Sequence, residues 1–372
     1  MFLPNYTTYA YGHDYGNSKT CGVTWINTQQ YALTMPSALA QGSYELLQTK
    51  VSSTSSANLA GILNQRAHII EVVGKLSYSV GNLAIDQNPT ADIASLTSRG
   101  DVSRYWSDRN LAMLLTTSAT IIRDPEYGLA VVANLPIATH NEINVRSVKA
   151  ALDGDHVFLL DGAKRTAHIR VMKTVMEGAG ATIAFGPGGT SKVGVVDIGG
   201  RSTDAYLVVG QIPVEGLCKS LDVGVETAFD QLVAAFETAF RYPLSAADAR
   251  AIQECYVHGQ SYDVVPTIAN AEVDPQRVDD LIDEILRTTG KQLAGFLKRV
   301  WRSSMATDVV LSDTPTILLI GGGAYYFEED IRPLFRKRLS VPAHPEFANA
   351  TGFAKLALHY LQREQMRAQH TS

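Results

Sequence analysis

Apolar residues recur at two different spacings along this chain, and their alternation predicts an α/β fold. Val193, Val195 and Val196 lead into Asp197; two glycines and the polar patch Arg201-Ser202-Thr203-Asp204 follow, then a second apolar run at 206–209. Two strand-like runs around a Gly-rich polar turn predict a β-hairpin. Residues 6–26 predict another hairpin, and 31–44 a further strand with a turn around Pro36. Residues 129–133 predict a strand that ends at Leu135-Pro136 and leads into an amphipathic segment through Val148. Alternation over 156–173 (Val157, Leu159, His168, Arg170) predicts a strand pair, and Thr316-Ile317-Leu318-Leu319-Ile320 a single apolar strand. Helical spacing links Trp106, Leu111, Leu114 and Leu115, then Val225, Phe229, Leu232, Phe236 and Phe240. It is clearest over 277–301, with Val278, Ile282, Ile285, Leu293 and Leu297 on one face. A last helix is expected from about Asn349 to Met366, with a frayed polar tail over 363–372. The Ser-rich stretch 50–58 reads as a surface loop.

The hairpin tips carry the candidate chemistry. Gly199 and Gly200 let the backbone bend and an anion approach its N–H groups, Ser202 and Thr203 add hydroxyl donors, and Arg201 a cation. Asp197 sets a carboxylate at the lip of this phosphate cradle. Within about 4 Å of a phosphate oxygen it would be repelled by roughly 4 kcal/mol at an effective dielectric near 20. A divalent cation between them, Mg²⁺ above all, removes that conflict. The same residues also fit an ordinary hairpin turn. A second Asp-x-Gly turn stands at Asp14, followed by Gly16, Asn17, Ser18 and Lys19, in the opposite half of the chain. Two such hairpins suggest two related domains facing each other across a cleft. A third Gly-rich site, Gly321-Gly322-Gly323-Ala324, follows an apolar strand and allows a ring or a phosphate to lie on bare backbone.

In this order the three loops resemble the actin, sugar kinase and heat-shock chaperone ATPase superfamily, and within it the ParM/StbA-type actin-like proteins. The stretches Ala133-Asn134-Leu135-Pro136, Val175-Met176-Glu177-Gly178-Ala179-Gly180-Ala181, Leu221-Asp222-Val223-Gly224-Val225-Glu226 and Phe347-Ala348-Asn349-Ala350-Thr351-Gly352-Phe353 extend the resemblance over nearly the whole chain. It implies an actin-like (ribonuclease H-like) two-domain ATPase with the nucleotide in a cleft. Domain I would span 1–170, with the helix at 346–372 returning to it, and domain II 171–345. It implies ATP, or GTP, with Mg²⁺ held through water by Asp14 and Asp197. Gly16, Asn17, Ser18 and Lys19 would serve one side of the phosphates, and Gly199, Gly200, Arg201, Ser202 and Thr203 the other. Glu226 would accept from the ribose; Gly321, Gly322, Gly323 and Ala324 would carry the adenosine. Glu177 would orient the attacking water, although Met176 stands where the family commonly has Pro. Lys19 lies five residues after Asp14, whereas the family's Lys lies seven after, where this chain has Cys21. The implied activity is nucleotide hydrolysis coupled to dynamic filaments that segregate plasmid DNA through a DNA-bound adaptor. Two rivals share these loops: a small-molecule kinase, with an Asp such as Asp161 as base, and a filament protein that binds nucleotide without turnover.

Composition narrows the classes. At 372 residues the length allows two or three domains, and 45% apolar with 19% charged residues suits a well-cored globular chain. A net charge of −5 gives no reason to expect a broad nucleic-acid surface. Cys21, Cys218 and Cys255 have neither disulfide-framework nor zinc spacing, and the histidines show no ligand pattern. With no signal-peptide pattern at the N-terminus and no 18-residue apolar run, a cytoplasmic protein without a membrane span is expected.

Overall fold

The computed structural model describes residues 6–54, 63–88 except 76, 101–188, 191–262 except 211, 265, 268, 273–301 and 314–371. They divide into two units, Met1–Phe185 with Phe347–Ser372, and Gly186–Glu346. Residue 170, where the sequence placed the boundary, lies inside a strand of the first unit.

The first unit is built on β1 (Thr8–Tyr15), β2 (Lys19–Ile26), β3 (Gln29–Pro36), β4 (Leu39–Gln41), β5 (Ala67–Val72), β6 (Ser77–Gly81), β7 (Glu126–Leu135), β8 (Gly154–Leu160) and β9 (Ala163–Met176). They form one sheet in the order β3-β2-β1-β7-β9-β8-β5-β6-β4. β1 pairs antiparallel with β2 and parallel with β7, which runs parallel to β9. Helices α1 (Tyr44–Thr54), α2 (Asn82–Asp86), α3 (Asp108–Ile121), α4 (Glu142–Leu152) and α5 (Ala179–Phe185) belong to the same unit. Successive strand residues face opposite ways. Tyr11 and Val131 therefore meet Leu111 and Leu115 of α3, while Ala10 and Val132 face the other side.

The second unit repeats the central motif. β10 (Lys192–Ile198), β11 (Thr203–Val209), β12 (Ile212–Pro213), β13 (Lys219–Leu221), β14 (Thr316–Ile320) and β15 (Leu339–Ser340) form a sheet ordered β12-β11-β10-β14-β15, with β13 beside β11. Again the first strand pairs antiparallel with the second and parallel with a later one, itself parallel to the last. β10 thus occupies in its sheet the place β1 occupies in the other. Helices α6 (Val225–Phe240), α7 (Ala246–His258), α8 (Pro275–Trp301) and α9 (Ala324–Phe335) bury Phe229, Phe236, Val278, Leu293 and Phe327 against Val196, Ile198, Ile317 and Leu319. Burial of that apolar stripe, at roughly 1.5–3 kcal/mol per large side chain, holds the layer together.

The last helix, α10 (Ala348–Thr371), belongs to the first unit and covers the face of Ala10, Val132 and Val175 with Phe353 and Ala357. It lies so close to β1 that a Cβ on Gly12 would stand 2.0 Å from the Ala350 carbonyl oxygen.

Two expectations are corrected. Residues 50–54 of the Ser-rich stretch continue α1 instead of forming a loop; residues 55–58 fall outside the described residues. Ser and Thr lower helix propensity by only tenths of a kcal/mol, and burial of Leu47 against Ile69 and Leu83 anchors the helix. The polar tail stays helical through Thr371 because its Arg, Glu, Gln and Met residues are good helix formers, and Glu364 pairs with Arg170. Among the described residues no helix is long and apolar enough to cross a membrane.

Candidate functional site

In the first unit the site residues gather at the turn between β1 and β2. The Gly16 N–H closes the turn onto the Lys19 carbonyl at 3.1 Å. The Ser37 hydroxyl and the Arg104 Nη1 donate to the Gly16 carbonyl at 2.9 and 3.1 Å, and the Ser37 amide to the Ser18 carbonyl at 2.9 Å. With those carbonyls turned into the protein, the turn is suited to accept an anion rather than a cation. The Ser18 hydroxyl oxygen is buried without a hydrogen-bond partner. Such a group costs about 1–3 kcal/mol unless a ligand or water satisfies it. Asp14 is half-buried one residue before the end of β1, and Lys19 is exposed.

Glu177 follows β9 and is held by its neighbours. Its Oε1 accepts from the Asn134 Nδ2 at 3.0 Å and from the Tyr105 hydroxyl at 3.3 Å. Asn134 is the buried penultimate residue of β7, and its Oδ1 accepts the Tyr15 N–H at 2.9 Å. The structure therefore ties Glu177 to the β1–β2 turn. Sequence reasoning missed Arg104 and Tyr105, which lie in a 3₁₀ turn (Val102–Trp106) before α3. No spacing pattern marks them; an Arg beside two aromatics, Tyr105 and Trp106, in a polar stretch was the only available signal. Arg104 is 3% exposed, its guanidinium 4.9 Å from the Tyr15 ring centroid and 4.5 Å from that of Tyr105. Burial, and then the Glu177 charge, push the Tyr105 hydroxyl well above the usual phenol range. Burial also lowers His13 to about 4, so its ring is neutral and bonds Asn110 at 2.7 Å.

In the second unit Asp197 stands at the end of β10, half-buried and opposite Asp204. The Gly199 N–H closes its turn onto the Ser202 carbonyl at 2.9 Å. The Gly199 and Gly200 carbonyls accept the first amides of α6, from Val225 at 3.1 Å and Glu226 at 2.7 Å. A Cβ on Gly224 would lie 2.5 Å from the Gly199 oxygen, so only glycine lets helix and turn meet. Asp204 is raised to about 7 by burial, with Asp197 and Asp222 adding repulsion, and it accepts from the Ser220 hydroxyl.

Several site residues have other engagements. Thr203 is buried and its hydroxyl donates to the Val223 carbonyl at 2.7 Å, so its proton is directed away from any phosphate. Arg201 donates to Glu226 at 3.0 Å and to Asp230 at 2.6 Å, which pairs the cation assigned to phosphate with the carboxylate assigned to ribose. Ala324 is buried in the core of its unit, whereas Gly322 has nothing within 4 Å of a built Cβ. Gly321 has φ +79°, and a Cβ there would meet the Ile198 oxygen at 2.4 Å; at Gly323 it would meet the Ile198 side chain at 2.1 Å. Asp161 accepts the Ile69 amide at 2.9 Å and meets His68 at 2.7 Å, which occupies the carboxylate considered as a kinase base.

Each of these loops, taken within its own unit, has chemistry that fits a phosphate group or a flat ring. The first turn supplies an unsatisfied hydroxyl, the first and second turns supply glycine backbone, and the third loop the open backbone of Gly322. Among the described residues no group of three or more His, Cys, Asp or Glu is arranged to hold a metal.

Residues 12–180 match the family model described as the actin like proteins N terminal domain. No curated protein matches the sequence. The actin-like protein Alp7A is similar in structure, with TM-score 0.71 at 14% identity over 98% of this chain and 100% of that one. A ParM from Clostridium botulinum, solved as a 15-stranded filament, gives 0.67 at 17% over 95% and 99%. Ta0583, an archaeal actin homologue in complex with ADP, gives 0.66 at 17% over 95% and 99%. Residues 12–180 thus form an actin-like N-terminal domain, and the chain as a whole has the two-domain actin fold.

Proposed function

We propose that this protein binds and hydrolyses ATP with Mg²⁺ and assembles into filaments in the cytoplasm, in the manner of ParM-type plasmid-segregation proteins. The observation that carries the reading is the repeated hairpin: Asp14 is the penultimate residue of β1 with Gly16 just beyond the strand, and Asp197 the penultimate residue of β10 with Gly199 just beyond, at equivalent places in the two sheets. Support comes also from the ADP complex of the archaeal homologue and the filament of the clostridial one.

Gly16, Asn17 and Ser18 would donate to one side of the phosphates, and Gly199, Gly200 and Ser202 to the other, with Lys19 neutralising charge. Arg201 would orient Glu226 toward the ribose instead of meeting phosphate itself, and the Gly321–Gly323 backbone would take the adenosine. Asp14 and Asp197 would hold hydrated Mg²⁺, which when bound neutralises phosphate charge. Glu177 would fix the attacking water by accepting a hydrogen bond from it, the positioning that phosphoryl transfer chiefly requires. Self-association, and a DNA-bound adaptor rather than direct DNA contact, complete the proposal.

Sedimentation with ATP and Mg²⁺, run beside a phosphate-release assay, tests this reading. Pelleting together with phosphate release is expected. A chain that stays in the supernatant and phosphorylates a sugar would overturn it, as would one that pellets without turnover.

A further inference from the structure

We propose that Arg104 and Tyr105 form a strut between the β1–β2 turn and Glu177, and position that carboxylate for the attacking water. The inference rests on the hydrolytic reading above.

A buried guanidinium is costly, and it is retained only where its donors are well used. Here Arg104 Nη1 donates to the Gly16 carbonyl and Nη2 to the Tyr105 oxygen at 2.7 Å. Because that oxygen accepts from Arg104, its single proton is directed onward to Glu177 at 3.3 Å. The chain runs in one sense, from cation through hydroxyl to carboxylate, and each bond polarises the next. A parallel route starts at the neighbouring residue, where the Tyr15 amide fixes the Asn134 oxygen and so turns its NH₂ to the same Glu177 Oε1. Both routes begin on Tyr15 and Gly16, the residues that open the phosphate turn. Glu177 is thereby referenced to the backbone that would hold phosphate, and a shift of that turn is passed to the carboxylate. The rings of Tyr15 and Tyr105 hold the guanidinium between them, which keeps the strut rigid.

Tyr105→Phe keeps the ring and removes only the proton aimed at Glu177. Its kcat for phosphate release should fall about tenfold, the loss expected of one hydrogen bond to a charged group, with KM within about twofold. Affinity for fluorescent ADP should stay within about twofold, while affinity for ADP with aluminium fluoride, which mimics the phosphoryl group in flight, should fall about tenfold. In a Glu177→Ala background the same change should add less than about twofold, because no acceptor remains for the Tyr105 proton. Arg104→Lys keeps the charge but cannot bridge Gly16 and Tyr105 together, and should give the same pattern; thermal melts of both variants check folding. A loss of equal size in the Glu177→Ala background, or wild-type behaviour of both variants toward aluminium fluoride, overturns the strut while nucleotide binding stands. Failure of the wild-type chain to bind any nucleotide overturns the hydrolytic reading, and the strut with it.

Discussion

Gly352 of α10 lies against Gly180 of α5 so closely that a Cβ on Gly352 would stand 1.8 Å from the Gly180 carbonyl oxygen. Asn349, one turn earlier, accepts the amides of Gly178 and Ala181 at 3.2 and 3.3 Å. The C-terminal helix therefore holds the segment immediately after Glu177. Gly352→Ala should destabilise the first unit by roughly 1–3 kcal/mol, since backbone rather than a flexible side chain must give way. Gly216→Ala, where a built Cβ meets nothing within 4 Å, should change stability by less than about 0.5 kcal/mol. Denaturant unfolding of the two variants tests the contrast; equal effects would remove the close approach as the cause.

Glu177→Ala removes the carboxylate that Asn134 and Tyr105 hold. Phosphate release should slow by about 10²–10⁴-fold, the usual contribution of a positioned base, while nucleotide-dependent pelleting persists. Unchanged hydrolysis would take Glu177 out of the mechanism.

His13 carries a linked pH dependence. Its pKa is lowered in the fold from 6.5 to about 4, by burial first, and its Nδ1 has no partner. Below pH 6.5 the unfolded chain takes up a proton that the folded chain refuses until about pH 4. Its contribution to stability is thus intact above pH 6.5 and is lost as pH falls toward 4, by up to roughly 3 kcal/mol. His13→Gln should flatten the unfolding free energy across that window, whatever it costs at neutral pH. A variant with the wild-type slope would show that other groups set it.

Arg201 is about one-third exposed, and so contributes little through its ion pairs. Arg201→Gln should cost less than about 1 kcal/mol in unfolding and should weaken ADP and phosphate-analogue binding equally, because the cation faces Glu226 and Asp230. A selective loss of affinity for the γ-phosphate would instead assign Arg201 to phosphate.

Local pattern was enough for the elements that carry the site. The β-branched run before Asp197, the strand-like run before Asp14 and the long apolar stripe of α8 stand where the sequence placed them. Those signals are local, because a strand's face and a helix's stripe are written in neighbouring residues. The same reading stopped α10 too early and broke α1 at its serines, where distant partners decide: Arg170 for one, Ile69 and Leu83 for the other. The Gly-rich turns after Asp14 and Asp197 were legible as turns, because glycine in a polar patch between apolar runs is distinctive, whereas Glu177 was marked by the family resemblance alone. The engagement of Arg201 with Glu226, the inward turn of Thr203 and the line from Arg104 through Tyr105 to Glu177 were not. They join residues up to 72 positions apart, and hydrogen-bond direction depends on which groups folding brings within 3.3 Å. Sequence alone determined which strands and turns could exist and what chemistry they could offer; tertiary structure decided which donors were already used, because a proton shared inside the fold is no longer available to a ligand.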